Sequence, residues 1–281
     1  MTTILKLWFG TLKATLTNIR ALAIFLVIYA VLIASFLRFI WIREATLWQV
    51  VFTYVLMVLM LAAFFIFQAV IIDRVQDQKF RWSTILIDAA KFFVATIPVV
   101  LLGWLIHYLL TKWQVRFPPP VVSLPPLPSG TSQPQPTHWP SLFFATLRFV
   151  LLGIALPLTT IHLWIAMAGG ETRAMFTAGA KQFVKRVGGT LARAFAFESV
   201  LIHGLGLIVW FILPWMILAP SFSLKGYKTA LAAIIGQLLL AFFFNFVGWV
   251  VTISALTRNA LEKSPTPSPD RSAAVAVEAA A

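Results

Sequence analysis

The sequence predicts an all-α polytopic membrane protein, with six transmembrane helices and three amphipathic helices on the cytoplasmic side. Three observations carry that expectation. Hydrophobic residues make up 60% of the 281 positions and charged ones only 11%, giving a mean hydropathy of +0.90, well outside the range of soluble domains. Apolar stretches of about 20 residues, the length a helix needs to cross a bilayer, recur along the chain. The charges fall in the gaps between them and are mostly basic.

Residues 3–20 place Leu5, Trp8, Phe9, Leu12, Leu16 and Ile19 on one helical stripe and Lys6, Lys13, Thr17 and Arg20 on another, a first amphipathic segment. Residues 21–37, extended by 39–42, form the first span. Its apolar run exceeds the roughly 7–15 residues of a signal-peptide core, so it reads as an uncleaved helix. A turn with Arg38, Arg43 and Glu44 leads into residues 47–72, 26 positions without a charge, and the two spans form a hairpin. Charge returns over 73–93, where Trp82, Ile85, Leu86, Ala89, Phe92 and Phe93 oppose Arg81, Thr84, Asp88 and Lys91. That is a second amphipathic helix, ahead of a third span at 92–110.

Residues 111–140 hold nine of the 16 prolines and read FPPPVVSLPPLPSGTSQPQP at their centre. Such a segment favours extended polyproline II, as a spacer or as a PxxP ligand for a partner. The fourth span, 141–168, carries Arg148 near its start, where it can snorkel to the interface, and Pro157, which is expected to kink it. A fifth span covers 197–218 and a sixth 230–256. The tail, 257–281, has no helical stripe and reads as disordered.

The most basic interruption is ETRAMFTAGAKQFVKRVGGTLARAFAF, residues 171–197. Phe176, Ala180, Phe183, Val184, Val187, Leu191 and Phe195 recur at helical spacing, while Lys181, Lys185, Arg186 and Arg193 occupy the other side. This is the pattern of a helix lying on an anionic bilayer, and the four basic residues are the candidate lipid-binding set. Gly188 and Gly189 are expected to break it into two pieces. With the amino terminus in the cytoplasm, 15 Lys and Arg face that side and 7 the other, so the positive-inside rule puts both termini in the cytoplasm. An amphipathic segment followed by two spans thus occurs three times, starting near Leu5, Trp82 and Phe176. The pattern is either internal repetition or the ordinary alternation of basic cytoplasmic loops.

The formal charge of +13 does not point to nucleic acid, because it is dispersed between apolar spans with no compact basic domain to carry it. Zero cysteines exclude disulfides, thiol chemistry and cysteine-held zinc or iron–sulfur clusters. Within the spans, ionisable and strongly polar groups are the default candidates for a site. His162 falls late in the fourth span and His203 early in the fifth, at one depth, whereas His107 lies toward the other side. Glu198 and His203 are five apart, about 140° around a helix, so they do not share a face for a metal. No metal, cofactor or catalytic residue is assigned. Gln68, His162, His203 and Asn245 form a candidate polar seam, and each can equally bond a neighbouring helix. Pro98, Pro157 and Pro214 interrupt three spans, as transporter helices often are. HGLGL, from His203 to Leu207, reads as close helix packing through Gly204 and Gly206.

The arrangement of FRWSTILIDAAKFFVATIPVVLLGWL and AMFTAGAKQFVKRVGGTLARAFAF resembles the six-span bacterial membrane domains found alone or fused to glycerophosphodiester phosphodiesterases. The likeness covers most of the chain as a pattern, without a diagnostic motif. It implies a bacterial inner-membrane location and carries over no catalytic residue. The expected function is that of a non-enzymatic integral membrane protein, an accessory or lipid-interacting subunit whose partners are the anionic bilayer and other membrane-protein subunits. A transporter or channel for a small solute is the alternative. An intramembrane enzyme using His162, Glu198 and His203 is the third reading.

Overall fold

The computed structural model describes residues 2–42, 46–76, 81–118, 138–168, 180–220 and 226–263, and every regular element among them is helical. Six helical stretches are long and apolar enough to cross a membrane, as the sequence predicts, and the chain is a multi-pass membrane protein. Helix α1 (Thr2–Thr17) precedes the first crossing, α2 (Ile19–Trp41); α3 (Leu47–Gln76) and α4 (Trp82–Gln114) are the second and third. The fourth is composite: α5 (Trp139–Arg148), a π-helical segment (Phe149–Ala155) and α6 (Leu156–Ala166). After α7 (Ala180–Ala194), the fifth is also composite: α8 (Phe197–Leu207), a π-helical segment (Ile208–Ile212) and α9 (Leu213–Leu218). Helix α10 (Tyr227–Glu262) is the sixth. The proline-rich segment from residue 119 to 137, residues 171–179 and the tail from 264 lie outside the described residues.

Four boundaries differ from the sequence expectation, one of them at the sixth span, which continues as helix through Glu262 and buries Thr257 and Asn259 where disorder is expected from 257. Asn18 divides residues 3–20: its side-chain oxygen accepts the Ala21 N–H at 3.2 Å, capping α2 and ending α1 one residue earlier. The expected separate helix over 73–93 does not form. Asp73–Gln76 close α3, and Trp82 onward is the start of a single 33-residue helix. At 1.5 Å per residue α4 is about 50 Å long, against about 30 Å of hydrocarbon, so its first turns project beyond the apolar layer as part of the same rod. In those turns Ile85, Ala89 and Phe92 face the core as expected, but Asp88 does too, held by Lys91 Nζ at 2.7 Å. Last, α7 runs through Gly188 and Gly189 without a break. Two glycines cost about 1 kcal/mol each relative to alanine, and the buried Thr190 and Ala194 just beyond them fasten the helix to the bundle. The break falls instead at Ala196, whose ψ of 141° leaves the helix and starts α8.

Both π-helical segments end two residues before a proline, Pro157 or Pro214. Proline has no N–H to return to the carbonyl four residues back, and its ring crowds that carbonyl; widening the preceding turns relieves the crowding. The carbonyls left without an i→i−4 donor are those of Gly153 and Trp210.

The tight core occupies one half of the bundle. Phe67–Ile72 of α3, Ile85–Phe92 of α4, Leu158–Ile165 of α6, Ile202 and His203 of α8 and Val250–Leu256 of α10 supply most of its buried side chains. α1 packs on α2, α8 and α10 at that end, and α7 on α6 and α8. Toward the other end the spans present Val51, Val58, Val100, Trp104, Leu239 and many like them outward. Lipid is as apolar as these side chains, so little drives them together there.

Candidate functional site: polar clusters and a basic helix at one end of the bundle

The four seam residues fall into separate clusters, and a proline explains one of them. Asn245 on α10 donates from Nδ2 to the Trp210 carbonyl at 2.9 Å, the carbonyl that Pro214 leaves without a donor. Its Oδ1 accepts the Tyr29 hydroxyl of α2 at 2.9 Å. One turn further along α10, Trp249 Nε1 donates to Gln68 Oε1 of α3 at 3.0 Å, and the Trp210 and Trp249 rings meet edge to face at 5.1 Å. These contacts tie four spans together. Gln68 is fully buried, and its Nε2 has no hydrogen-bond partner among the described residues.

His203 lies near the turn before the other proline but does not make the bond that Asn245 makes. The backbone of Gly153, four residues before Pro157, faces its ring. The approach does not reach hydrogen-bond geometry, and both ring nitrogens are buried without a partner among the described residues. His162 belongs to a third cluster. Its Nδ1–H donates to the Leu158 carbonyl at 3.0 Å, and Nε2 lies 3.2 Å from Ser199 Oγ. Ser199, 1% exposed, has one hydroxyl proton and two acceptors, His162 Nε2 and the Arg193 carbonyl at 3.0 Å; Asn259 Nδ2 donates to its oxygen at 3.4 Å. The cluster therefore joins α6, α7, α8 and α10. A serine beside a histidine can serve as a nucleophile only where a substrate reaches it, and Ser199 is enclosed by helix ends.

Glu198 is not part of this layer. It lies at the surface with Lys263 Nζ 2.9 Å from its carboxylate. Among the described residues no three His, Asp or Glu converge as metal ligands. His107 is exposed on α4. Arg148, expected to reach the interface, donates to Thr111 Oγ1 at the far end of α4 at 3.1 Å.

Of the candidate lipid-binding set, Lys185 is exposed on α7 and Arg193 is half-buried, with Nη2 3.5 Å from Thr190 Oγ1. The side chains of Lys181 and Arg186 lie outside the described residues. Leu191 and Phe195 are exposed beside them, while Thr190 and Ala194 pack inward. Lys185 and Arg193 lie within about 80° of one another around the helix, and Thr190 about 140° from Lys185.

Sequence reasoning missed Ser199, Asn259, Tyr29 and Trp249. Ser199 and His203 share a face at i, i+4, a readable signal; which partner Tyr29 and Trp249 choose depends on the helix neighbours, which no local pattern specifies. No protein-family model, curated protein or solved structure matches this chain.

Proposed function

We propose that this chain is a non-enzymatic protein of a bacterial inner membrane, an accessory or lipid-interacting subunit that works through basic helices on the cytoplasmic face, with both termini on that face. One observation carries the reading: Asn245, His162 and the Gln68 side-chain oxygen are bonded to neighbouring helices, while Lys185 stays exposed on a helix braced at one end of the bundle. The bias of Lys and Arg toward that side, 15 against 7, supports the orientation. Exposed Leu191, Phe195 and Phe197 beside the basic face fit insertion among lipid headgroups.

The test is hydrogen exchange on the full-length protein in nanodiscs. Amides of α7 should be better protected in anionic than in neutral lipid, and Lys185→Gln/Arg193→Gln should abolish the difference; equal protection in both lipids contradicts the reading. A transporter through Gln68, His162, His203 and Asn245 is the second reading, favoured by the unpartnered ring nitrogens of His203. It requires water to reach that ring. In this cysteine-free chain, His203→Cys would then react with a small aqueous thiol reagent, and inertness removes the reading.

A further inference from the structure

The fourth crossing carries a cation inside the apolar layer. Its 28 residues, Trp139–Ala166, span about 42 Å at 1.5 Å each, against about 30 Å of hydrocarbon. Arg148 is the last of the 10 residues of α5, so with the crossing centred its backbone lies about 8 Å inside the hydrocarbon boundary. Leu142, Phe143, Phe149 and Val150 around it are exposed, as side chains facing acyl chains are. Among the described residues the guanidinium has a single hydrogen-bond partner, Nη2 donating to Thr111 Oγ1 at 3.1 Å, while Nε is buried without one. That partner is neutral, and its own proton goes to the His107 carbonyl at 2.8 Å. A cation at this depth is costly without a counter-charge.

The chain supplies none beside it. Residues 119–137, which join α4 to α5, contain no Asp or Glu. His107, Lys112 and Arg116, the other basic groups at this end of α4, are exposed and carry no negative charge. Of the nine acidic residues only Glu44 falls in a connection at this end of the bundle; it joins α2 to α3 with Arg43 next to it in sequence, whereas α5 packs on α4.

Next to Arg148, toward the end of the bundle, a cavity of about 350 Å³ opens between the end of α4 and the start of α5. Thr111, Gln114, Val115, Phe117, Pro118 and Ser141 line it. Ser141 and Arg148 share a face of α5 at i, i+7, and Thr111 belongs both to the cavity wall and to the Arg148 bond. At about 30 Å³ per water the cavity has room for roughly twelve, more than a phosphate group needs.

We propose that the phosphate of a membrane phospholipid occupies this cavity, bound by the Arg148 guanidinium from its inner end and by the Gln114 side-chain amide on its wall. A guanidinium presents parallel N–H groups that match two phosphate oxygens, and of its five donors Arg148 gives one to Thr111. Exposed Trp113 on α4 and Trp139 on α5 mark the headgroup level on the two walls. Phe117 and Pro118 at the rim lie beyond the last residue of α4, so the cavity opens among headgroups rather than on a flank within the span. That favours a lipid phosphate over a carboxylate on a partner helix. The site shares no residue with α7 and lies at the opposite end of the bundle, so it stands apart from the reading of that helix.

The test follows thermal unfolding of the delipidated full-length protein in neutral detergent, with Lys185→Gln/Arg193→Gln as background so that lipid at α7 does not contribute. Phosphatidylglycerol raises the Tm, and diacylglycerol with the same chains does not. Arg148→Gln weakens the apparent affinity about tenfold, the loss of one charge-assisted contact. Val115→Trp, which fills the cavity and keeps the arginine, weakens it too and carries the comparison if Arg148→Gln fails to fold. Protection by phosphatidylcholine as well assigns recognition to the phosphate alone, and protection by inorganic phosphate assigns the site to the phosphate group from either source. Equal protection by diacylglycerol, or phosphatidylglycerol protection unchanged in Val115→Trp and in a folded Arg148→Gln, overturns the proposal. So does a Tm loss in Arg148→Gln that is the same with and without lipid, which makes Arg148 a packing residue. Absence of protection by any lipid also overturns it and leaves a partner helix's carboxylate as the counter-charge.

Discussion

Gly248 is the position where the packing of the fifth and sixth spans can be tested most sharply. A β-carbon there would lie 2.8 Å from the backbone nitrogen of Trp210, 2.9 Å from Trp210 Cβ and 2.9 Å from Val209 Cγ1. Ordinary contacts fall at about 3.5–4.0 Å. Two of the three obstacles belong to the π-helical segment itself or sit directly on it, so no side-chain rotation clears the space. Overpacking of this kind costs about 1–3 kcal/mol, against up to about 1 kcal/mol gained in helix propensity by Ala over Gly. Moving α10 away would also stretch the Asn245 bond to the Trp210 carbonyl, one turn along, worth about 0.6 kcal/mol and at most about 1.7. The net expectation for Gly248→Ala is a loss of about 1–3 kcal/mol. Gly236, on the same helix, has nothing within 4 Å of its β-carbon position, so Gly236→Ala should be neutral or slightly stabilising. Reversible unfolding in mixed SDS micelles measures both. A difference of about 2 kcal/mol, some 30-fold in the folded-to-unfolded ratio, is expected. Gly248→Ala as stable as Gly236→Ala would refute the close approach.

Gly206→Ala should also destabilise, because the new β-carbon meets the hydroxyl and both carbons of the Thr252 side chain, and Thr252→Ala should rescue part of the loss in a double-mutant cycle. Gly204→Ala, with nothing within 4 Å, should be tolerated in the same assay. Trp249→Phe removes the donor to buried Gln68 and should cost about 1–3 kcal/mol, whereas Gln68→Leu/Trp249→Phe should recover most of it by removing the stranded amide. Glu198→Gln should leave unfolding unchanged, since its partner Lys263 is equally exposed; a large loss would place Glu198 in the layer of His203.

The six crossings were legible because bilayer thickness dictates length and composition, and both are local properties of sequence. Helix junctions were less so. Asn18 is a capping residue ahead of an apolar run, a signal that the longer stripe over 3–20 obscures. At Gly188 and Gly189 intrinsic preference lost to tertiary packing, as the buried Thr190 and Ala194 show. HGLGL was half legible: Gly206 does meet α10, while Gly204 does not. Gln68, His162, His203 and Asn245 stand out by polarity alone, and all but Asn245 prove buried. Their roles hinge on which spans are neighbours, and for Asn245 on the carbonyl that Pro214 releases on the facing helix.

The central claim is that the basic and buried polar chemistry of this chain gathers at one end of the bundle, and that this end faces the cytoplasm. The absence of cysteine makes single-cysteine labelling with a membrane-impermeant maleimide the most direct measurement. Gly189 on α7 and Lys228 at the start of α10 are both exposed and stand at opposite ends of the bundle. The account predicts that Gly189→Cys reacts in inside-out vesicles and not in intact cells, and that Lys228→Cys does the reverse. Labelling of Gly189→Cys from outside, or of both from the same side, would contradict it.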